Sequence, residues 1–251
     1  MVLDRVSLSH NSATYDGGGI FVNNGVQAVV RNSSIGGNSS FGGGGIYAGD
    51  PLSVMSSAIF SNDARAGDGA GVYVAASDGE EIRLTNSTVS GNRATEDGGG
   101  MFRFSGQLSL NAVTLTANIA DMDSNGTGHG GGIDGGLFGT SPSARFKFQN
   151  SIVAGNIDRN PASPRPDCRR ITSGFGSYNL IGIGGCPRGP TDLRTADPKL
   201  GPLADNGGPT RTHALLSTSP AIGRAGESTP AYDQRSVRRD VRPDIGAYER
   251  R

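Results

Sequence analysis

The sequence predicts an all-β fold: a right-handed parallel β-helix, a three-sided solenoid of about six coils, with a loop-rich C-terminal cap. Three observations predict it. Forty-one glycines and 13 prolines in 251 residues disfavour helix interiors, and the glycines lack the one-in-three period of collagen. An apolar-x-x-Asn element recurs, ending at Asn11, Asn38, Asn62, Asn92, Asn118 and Asn156. A glycine-rich lead-in to a further strand follows most of these asparagines, as in Gly43-Gly44-Gly45-Ile46 and Gly98-Gly99-Gly100-Met101.

The repeat carries its own strand assignment. Ten and eight residues before each Asn stand apolar pairs such as Leu52/Val54, Ile82/Leu84 and Leu108/Leu110, two apart and so on one face of a strand. A corner follows, occupied by Asn32, Asn86 and Asn150 in three coils, where Asn accepts left-handed backbone. The second strand places Leu8, Ile35, Ile59, Val89, Leu115 and Val153 inward, three before the Asn. The lead-in then delivers Ile20, Ile46, Val72, Met101 and Ile133 in a third strand. Such a unit cannot bury its apolar face alone and must stack on copies of itself, with the recurrent Asn forming a hydrogen-bonded ladder. Strand twist favours right-handed winding. A β-propeller is excluded because about 26 residues are too few for a four-stranded blade, and no Gly-Gly-x-Gly-x-Asp segment supports a calcium roll.

The chain therefore divides into a repeat region, residues 1–157, and a C-terminal segment, residues 158–251, that continues and caps the solenoid. The zero net charge is a cancellation: 8 basic residues against 13 acidic in the first part, 15 against 10 in the second. Neutrality argues against a nucleic-acid partner, and no apolar run is long enough to span a membrane. Arg235, Arg238, Arg239 and Arg242 make a basic cluster suited to an acidic surface or glycan.

Paired motifs such as Ile35-Gly36-Gly37-Asn38 and Gly44-Gly45-Ile46 resemble the repeats of polymorphic outer-membrane proteins and related bacterial β-helix surface proteins. The later run is more distinctive: Tyr178-Asn179-Leu180-Ile181-Gly182, Asp197-Pro198, Asp205-Asn206-Gly207-Gly208-Pro209-Thr210, His213-Ala214-Leu215-Leu216, Asp233-Gln234-Arg235 and Asp244-Ile245-Gly246-Ala247-Tyr248-Glu249. In this order they resemble the choice-of-anchor Q domain of secreted bacterial β-helix proteins. The resemblance implies an exported, extracellular or cell-surface protein and carries no established activity. Such proteins begin with a signal peptide and continue into an anchor; neither pattern is in this sequence, which reads as a fragment or truncated product.

Four features are candidates for function. Phe21, Tyr47, Tyr73 and Phe102 each follow the inward residue of a lead-in strand and should form an outward row able to bind sugar faces or a partner, or to stack on itself. Asp16, Asp68 and Asp97 share one repeat position, interrupted by Gly42 and His129, and suit either a turn or an acidic stripe. Asp121, Asp123 and Asn125 match the start of a calcium loop, so calcium is the possible cofactor, although Gly132 replaces the closing Glu. Cys168 and Cys186 are expected to form a disulfide, consistent with export. His213 and the Asp233-Gln234-Arg235 and Asp244 motifs read as structural, and no nucleophile with its base is evident. The expected function is a non-catalytic, adhesin-like or glycan/partner-binding scaffold, monomeric, whose partner is an extracellular polysaccharide or cell-surface glycan. A polysaccharide lyase or glycosidase of β-helix type is the alternative, and an inert stalk the second.

Overall fold

The computed structural model describes residues 1–136, 146–162, 166–171 and 176–251, and contains no helix among them. The repeats stack as a parallel β-solenoid. Its first face is a six-stranded sheet, Val2–Asp4, Ala28–Arg31, Leu52–Met55, Glu81–Thr85, Gln107–Asn111 and Phe146–Gln149. The second face runs from Ser7–Ser9 through Ser34–Gly36, Ala58–Phe60, Thr88–Ser90, Thr114–Thr116 and Ile152–Val153 to Leu180–Ile181 and Leu193–Arg194. Stacking thus continues past residue 157.

Every coil but the first has a strand that the repeat pattern alone does not reveal. Ser39–Ser40, Asp63–Ala64, Arg93–Ala94, Ile119–Ala120 and Ile157–Asp158 form a narrow third face just after the repeat Asn. Four strands per coil, not three, is the observed plan. Two-residue strands with Ser or Ala inside are too short to show an alternating apolar pattern. The fourth face is the glycine-led one: Ile20–Val22, Ile46–Ala48, Val72–Ala75, Met101–Ser105, Ile133–Asp134 and Cys168–Arg169.

Register follows the apolar repeat. Leu8, Ile35, Ile59, Val89, Leu115 and Val153 are consecutive partners, as are Leu52, Ile82, Leu108 and Phe146. These side chains form one continuous core. The corners carry the cost of the coil geometry. Six residues before each repeat Asn, Arg5, Asn32, Ser56, Asn86, Ala112 and Asn150 all adopt positive φ, between 45° and 55°. Asn at three of these six positions reduces the strain.

The repeat asparagines form the expected ladder. Asn62 donates its side-chain amide to Asn92 Oδ1 at 2.9 Å and to the Ile35 carbonyl at 3.0 Å, and the pattern repeats coil by coil. The ladder ends on a carboxylate: Asn156 donates its backbone and side-chain N–H groups to Asp167 Oδ1, at 2.9 and 2.8 Å. Burial pushes the Asp167 carboxyl upward, partly offset by the donated hydrogen bonds. Gly71 shows why the lead-in needs glycine: a Cβ there would lie 2.4 Å from the Gly100 carbonyl oxygen and 3.0 Å from Asn92 Nδ2.

After Arg194 the chain leaves the stack. An antiparallel hairpin, Leu200–Ala204 with Thr212–Leu215, and the following loops lie against the outside of the second face. Ile152, Ala154, Leu180, Leu215, Ala221 and Ile245 form a second core there. Polar contacts fix the docking: Thr88 donates to Gln234 Oε1 at 2.7 Å, Asn86 Nδ2 to the Tyr232 carbonyl at 2.8 Å, and the Ala247 amide to Thr114 Oγ1 at 3.0 Å. The segment flanks several coils.

Candidate functional site

The fourth face carries the aromatic row. Strand pairing places Phe21, Tyr47, Tyr73 and Phe102 in one register, and the same row then continues into Asp134 and Arg169. Phe21 and Tyr47 have ring centroids 4.9 Å apart and planes 12° apart; Tyr47 and Tyr73 are at 5.4 Å and 15°. Phe102 tilts by 43° against Tyr73. The rings therefore stack on one another, with Phe21 51% exposed, Tyr47 and Tyr73 half-buried, and Phe102 buried. Stacking occupies the faces of the inner rings. What the row offers to a ligand is edges, the Tyr hydroxyls and the outer face of Phe21.

Beside the rings runs the acidic position. Asp16 Oδ1 accepts the Gly42 amide at 3.2 Å, and Asp68 Oδ1 accepts the Asp97 amide at 2.8 Å. Both bonds cap the turn of the next coil, so the turn role is observed and one oxygen of each carboxylate is committed to it. Burial pushes Asp68 up to about 6, helped by the neighbouring Asp97 and Glu96 charges and opposed by its bond from the Asp97 amide. Burial also raises the Tyr73 and Tyr47 phenols, and the adjacent Asp68 and Asp16 carboxylates add to the rise at Tyr73.

At one end the row meets two arginines from the strand Cys168–Arg169 and the residue after it. Arg170 Nη2 donates to Asp97 Oδ2 at 2.8 Å, and Arg169 Nη1 to Asp97 Oδ1 at 3.3 Å. Both also approach the fully buried Asp134 at 3.6 Å. Asp134 Oδ1 accepts the Gly136 amide at 2.7 Å, while its Oδ2 has no hydrogen-bond partner. Burial, reinforced by Asp97, lifts Asp134 to about 7 against the two guanidinium groups. No pattern in the repeats signals this cluster, because its arginines lie where the apolar repeat has faded.

Elsewhere the predicted residues resolve individually. Cys168 and Cys186 are disulfide-bonded, with Cα atoms 5.0 Å apart. In the calcium-like loop, both Asp121 oxygens face the Gly126 amide, at 3.2 and 3.1 Å. Asn125 Nδ2 donates to Asp123 Oδ2, and Asn125 Oδ1 accepts from Thr127. The side-chain oxygens thus close local turns. Among the described residues no group of three or more His, Cys, Asp or Glu is placed to hold a metal ion.

His213 Nδ1 lies 2.7 Å from the Gly201 carbonyl, an acceptor, so that nitrogen carries the proton and Nε2 accepts from Ser90 Oγ at 2.8 Å. This is the tautomer of a serine–histidine dyad, but Ser90 is buried beneath the hairpin, and the pair clamps the hairpin to the solenoid. The C-terminal basic cluster is partly consumed internally. Arg235 pairs with Asp233 at 2.7 Å and lies over the Tyr248 ring, and the buried Arg239 pairs with Glu249 at 3.1 Å; Arg238 and Arg242 remain exposed. An unanticipated residue is Arg103, aligned with the inward Val22, Ala48 and Val74 yet buried in the core, its Nε donating to the Gly106 carbonyl at 2.7 Å.

No family model matches the chain, no curated protein matches it, and no solved structure matches it.

Proposed function

We propose that the protein is a non-catalytic, extracellular or cell-surface scaffold whose fourth face binds a glycan or a partner protein. The observation that carries this reading is the aligned row of four rings beside Asp16, Asp68 and Asp97, with Phe21 exposed, Tyr47 and Tyr73 half-buried and Phe102 buried, on a face over which the described chain after Arg194 does not fold. Because the inner rings stack on each other, contact is made by ring edges, phenol hydroxyls and carboxylate oxygens, with only Phe21 offering an open ring face. Carboxylates and hydroxyls suit sugar hydroxyl groups as hydrogen-bond partners. The disulfide supports an oxidising compartment, and the resemblance to choice-of-anchor Q proteins supports attachment at the cell surface and an adhesin-like role.

A second reading, a β-helix lyase or glycosidase, is favoured by one specific pair. Asp68, raised to about 6, is poised as a general acid one coil from Asp97, which the two arginines hold. Incubation with neutral, acidic and amino polysaccharides decides between the readings. Binding without new reducing or unsaturated ends supports the scaffold, turnover lost in Asp68→Asn supports the enzyme, and neither outcome leaves an inert stalk.

A further inference from the structure

The double-arginine cluster at the end of the fourth face is attached to the molecule in an unusual way. Among the described residues its carrier strand, Cys168–Arg169, is the terminal strand of that sheet, with Ile133–Asp134 as its one strand neighbour. On the other side it has an isolated bridge to Gly184, a hydrogen bond from the Gly185 amide to the Cys168 carbonyl at 2.7 Å, and the disulfide to Cys186. Cys186 lies in a glycine-rich loop bounded by Gly184, Gly185 and Gly189, so the covalent bond is the firmest tie on that side. The next residue, Arg170, sits at φ 53°, a left-handed conformation that a β-substituted residue keeps only when its surroundings hold it.

From this placement we propose that the Cys168–Cys186 disulfide is a redox latch. Its reduction releases the strand bearing Arg169 and Arg170 and uncouples both arginines from Asp97 and Asp134. The chemistry is ordinary dithiol exchange. A reductant thiolate attacks the sulfur of the partly exposed Cys186, the S–S bond breaks, and the buried Cys168 leaves as a thiolate and takes up a proton. The second thiol of the reductant then displaces Cys186 as a thiol and closes the reductant's own disulfide. Two electrons and two protons are transferred, and no other partner is required.

The consequence falls on the acidic row. Asp97 loses both guanidinium partners, and the fully buried Asp134 loses the two guanidinium groups that pair with it among the described residues. Oxidation therefore holds one end of the proposed binding face in place, and reduction loosens it. This regulation rests on that face being the binding site, but the test below needs no ligand, so failure of the binding reading leaves the latch testable.

The experiment is hydrogen exchange on the full chain at constant pH, oxidised and after dithiothreitol, with Cys168→Ser/Cys186→Ser as a reductant-free mimic and oxidised Arg169→Gln/Arg170→Gln as a second arm. The expected result is at least tenfold faster exchange at the amides of Ile133 and Gly135, whose acceptors are the Asp167 and Arg169 carbonyls, with Leu84 and Leu110 unchanged. The carboxyl carbon signals of Asp97 and Asp134 should move on reduction toward their positions in the double-arginine variant. Unchanged exchange and carboxyl signals on reduction would overturn the latch. So would equal acceleration across every coil, which would make the disulfide a general staple.

Discussion

The second and fourth faces of the solenoid arise from the same repeat yet end differently. On the second face, the outward residues Ala58, Thr88, Ser90, Thr114, Thr116 and Ile152 are buried, because the chain after Arg194 folds back over them. On the fourth face the outward residues are large aromatic rings, and Phe21 remains 51% exposed. The chain after Arg194 thus covers mainly small and hydroxylated side chains, while on the fourth face Phe21 stays exposed, Tyr47 and Tyr73 half-buried and Phe102 buried. Covering serves stability on one side, and exposure is what the proposed recognition would use on the other.

Removing what both faces share should have the largest effect. Asn92 is fully buried; it donates to the Ile59 carbonyl and Asn118 Oδ1, and its own Oδ1 accepts two bonds from Asn62. Asn92→Ala leaves several buried groups unpaired and is expected to cost about 4 kcal/mol in urea unfolding, at about 1–3 kcal/mol for each such group. Both faces should melt together. Gln234→Ala tests the covered face alone, because Gln234 bonds to Thr88, Thr210 and the Arg211 carbonyl. A loss of about 2–3 kcal/mol is expected, read as faster proteolysis within residues 195–251 while the coil amides stay protected.

Acid should then separate the two faces by sign. Burial lowers the pKa of His213, so the unfolded chain binds the proton more readily, and stability is lost as pH falls below the unfolded value of about 6.5. Asp68 runs the opposite way. Its carboxyl is raised from 3.8 to about 6, so the folded state binds the proton more readily and stability falls as pH rises through that window. In unfolding measured from pH 4 to 8, His213→Gln should lose the decline that appears on acidification below about 6.5, whereas Asp68→Asn should lose the opposing gain between about pH 6 and 4 and so decline more steeply in acid. Matching profiles for wild type and variants would contradict both assignments. The smallest effect belongs to the exposed Asp123, where Ala should change stability by no more than about 0.5 kcal/mol. A calcium-dependent rise in melting temperature that disappears in Asp123→Ala would turn that loop into a cation site.

Much of this was legible in the sequence, for identifiable reasons. Positions ten, eight and three before each Asn recur because each must fill the same place in a stacked core, and the register Leu8-Ile35-Ile59-Val89-Leu115-Val153 follows directly. The aromatic row was legible for the same reason, and stacking on itself was one of its two expected states, but spacing along the chain does not report ring planes and could not choose between them. The third face stayed hidden because strands as short as Asp63–Ala64 have no period. Arg103 entered the core unannounced, next to an irregularity that pairs Ala75 with Ser105 and leaves Phe104 outside the regular register. The link from Arg169 and Arg170 to Asp97 spans more than 70 positions and has no local signature.

The central claim, that the aromatic row of the fourth face is the recognition surface, is tested most directly by one measurement. Binding of a polysaccharide panel to wild type and to Tyr47→Ala/Tyr73→Ala should be followed by titration calorimetry, with Gln234→Ala as the control that disturbs only the covered face. The account predicts binding without turnover by wild type, at least a tenfold loss in the double-tyrosine variant, and little change in Gln234→Ala. Equal affinity in wild type and the double-tyrosine variant, or loss confined to Gln234→Ala, would contradict it.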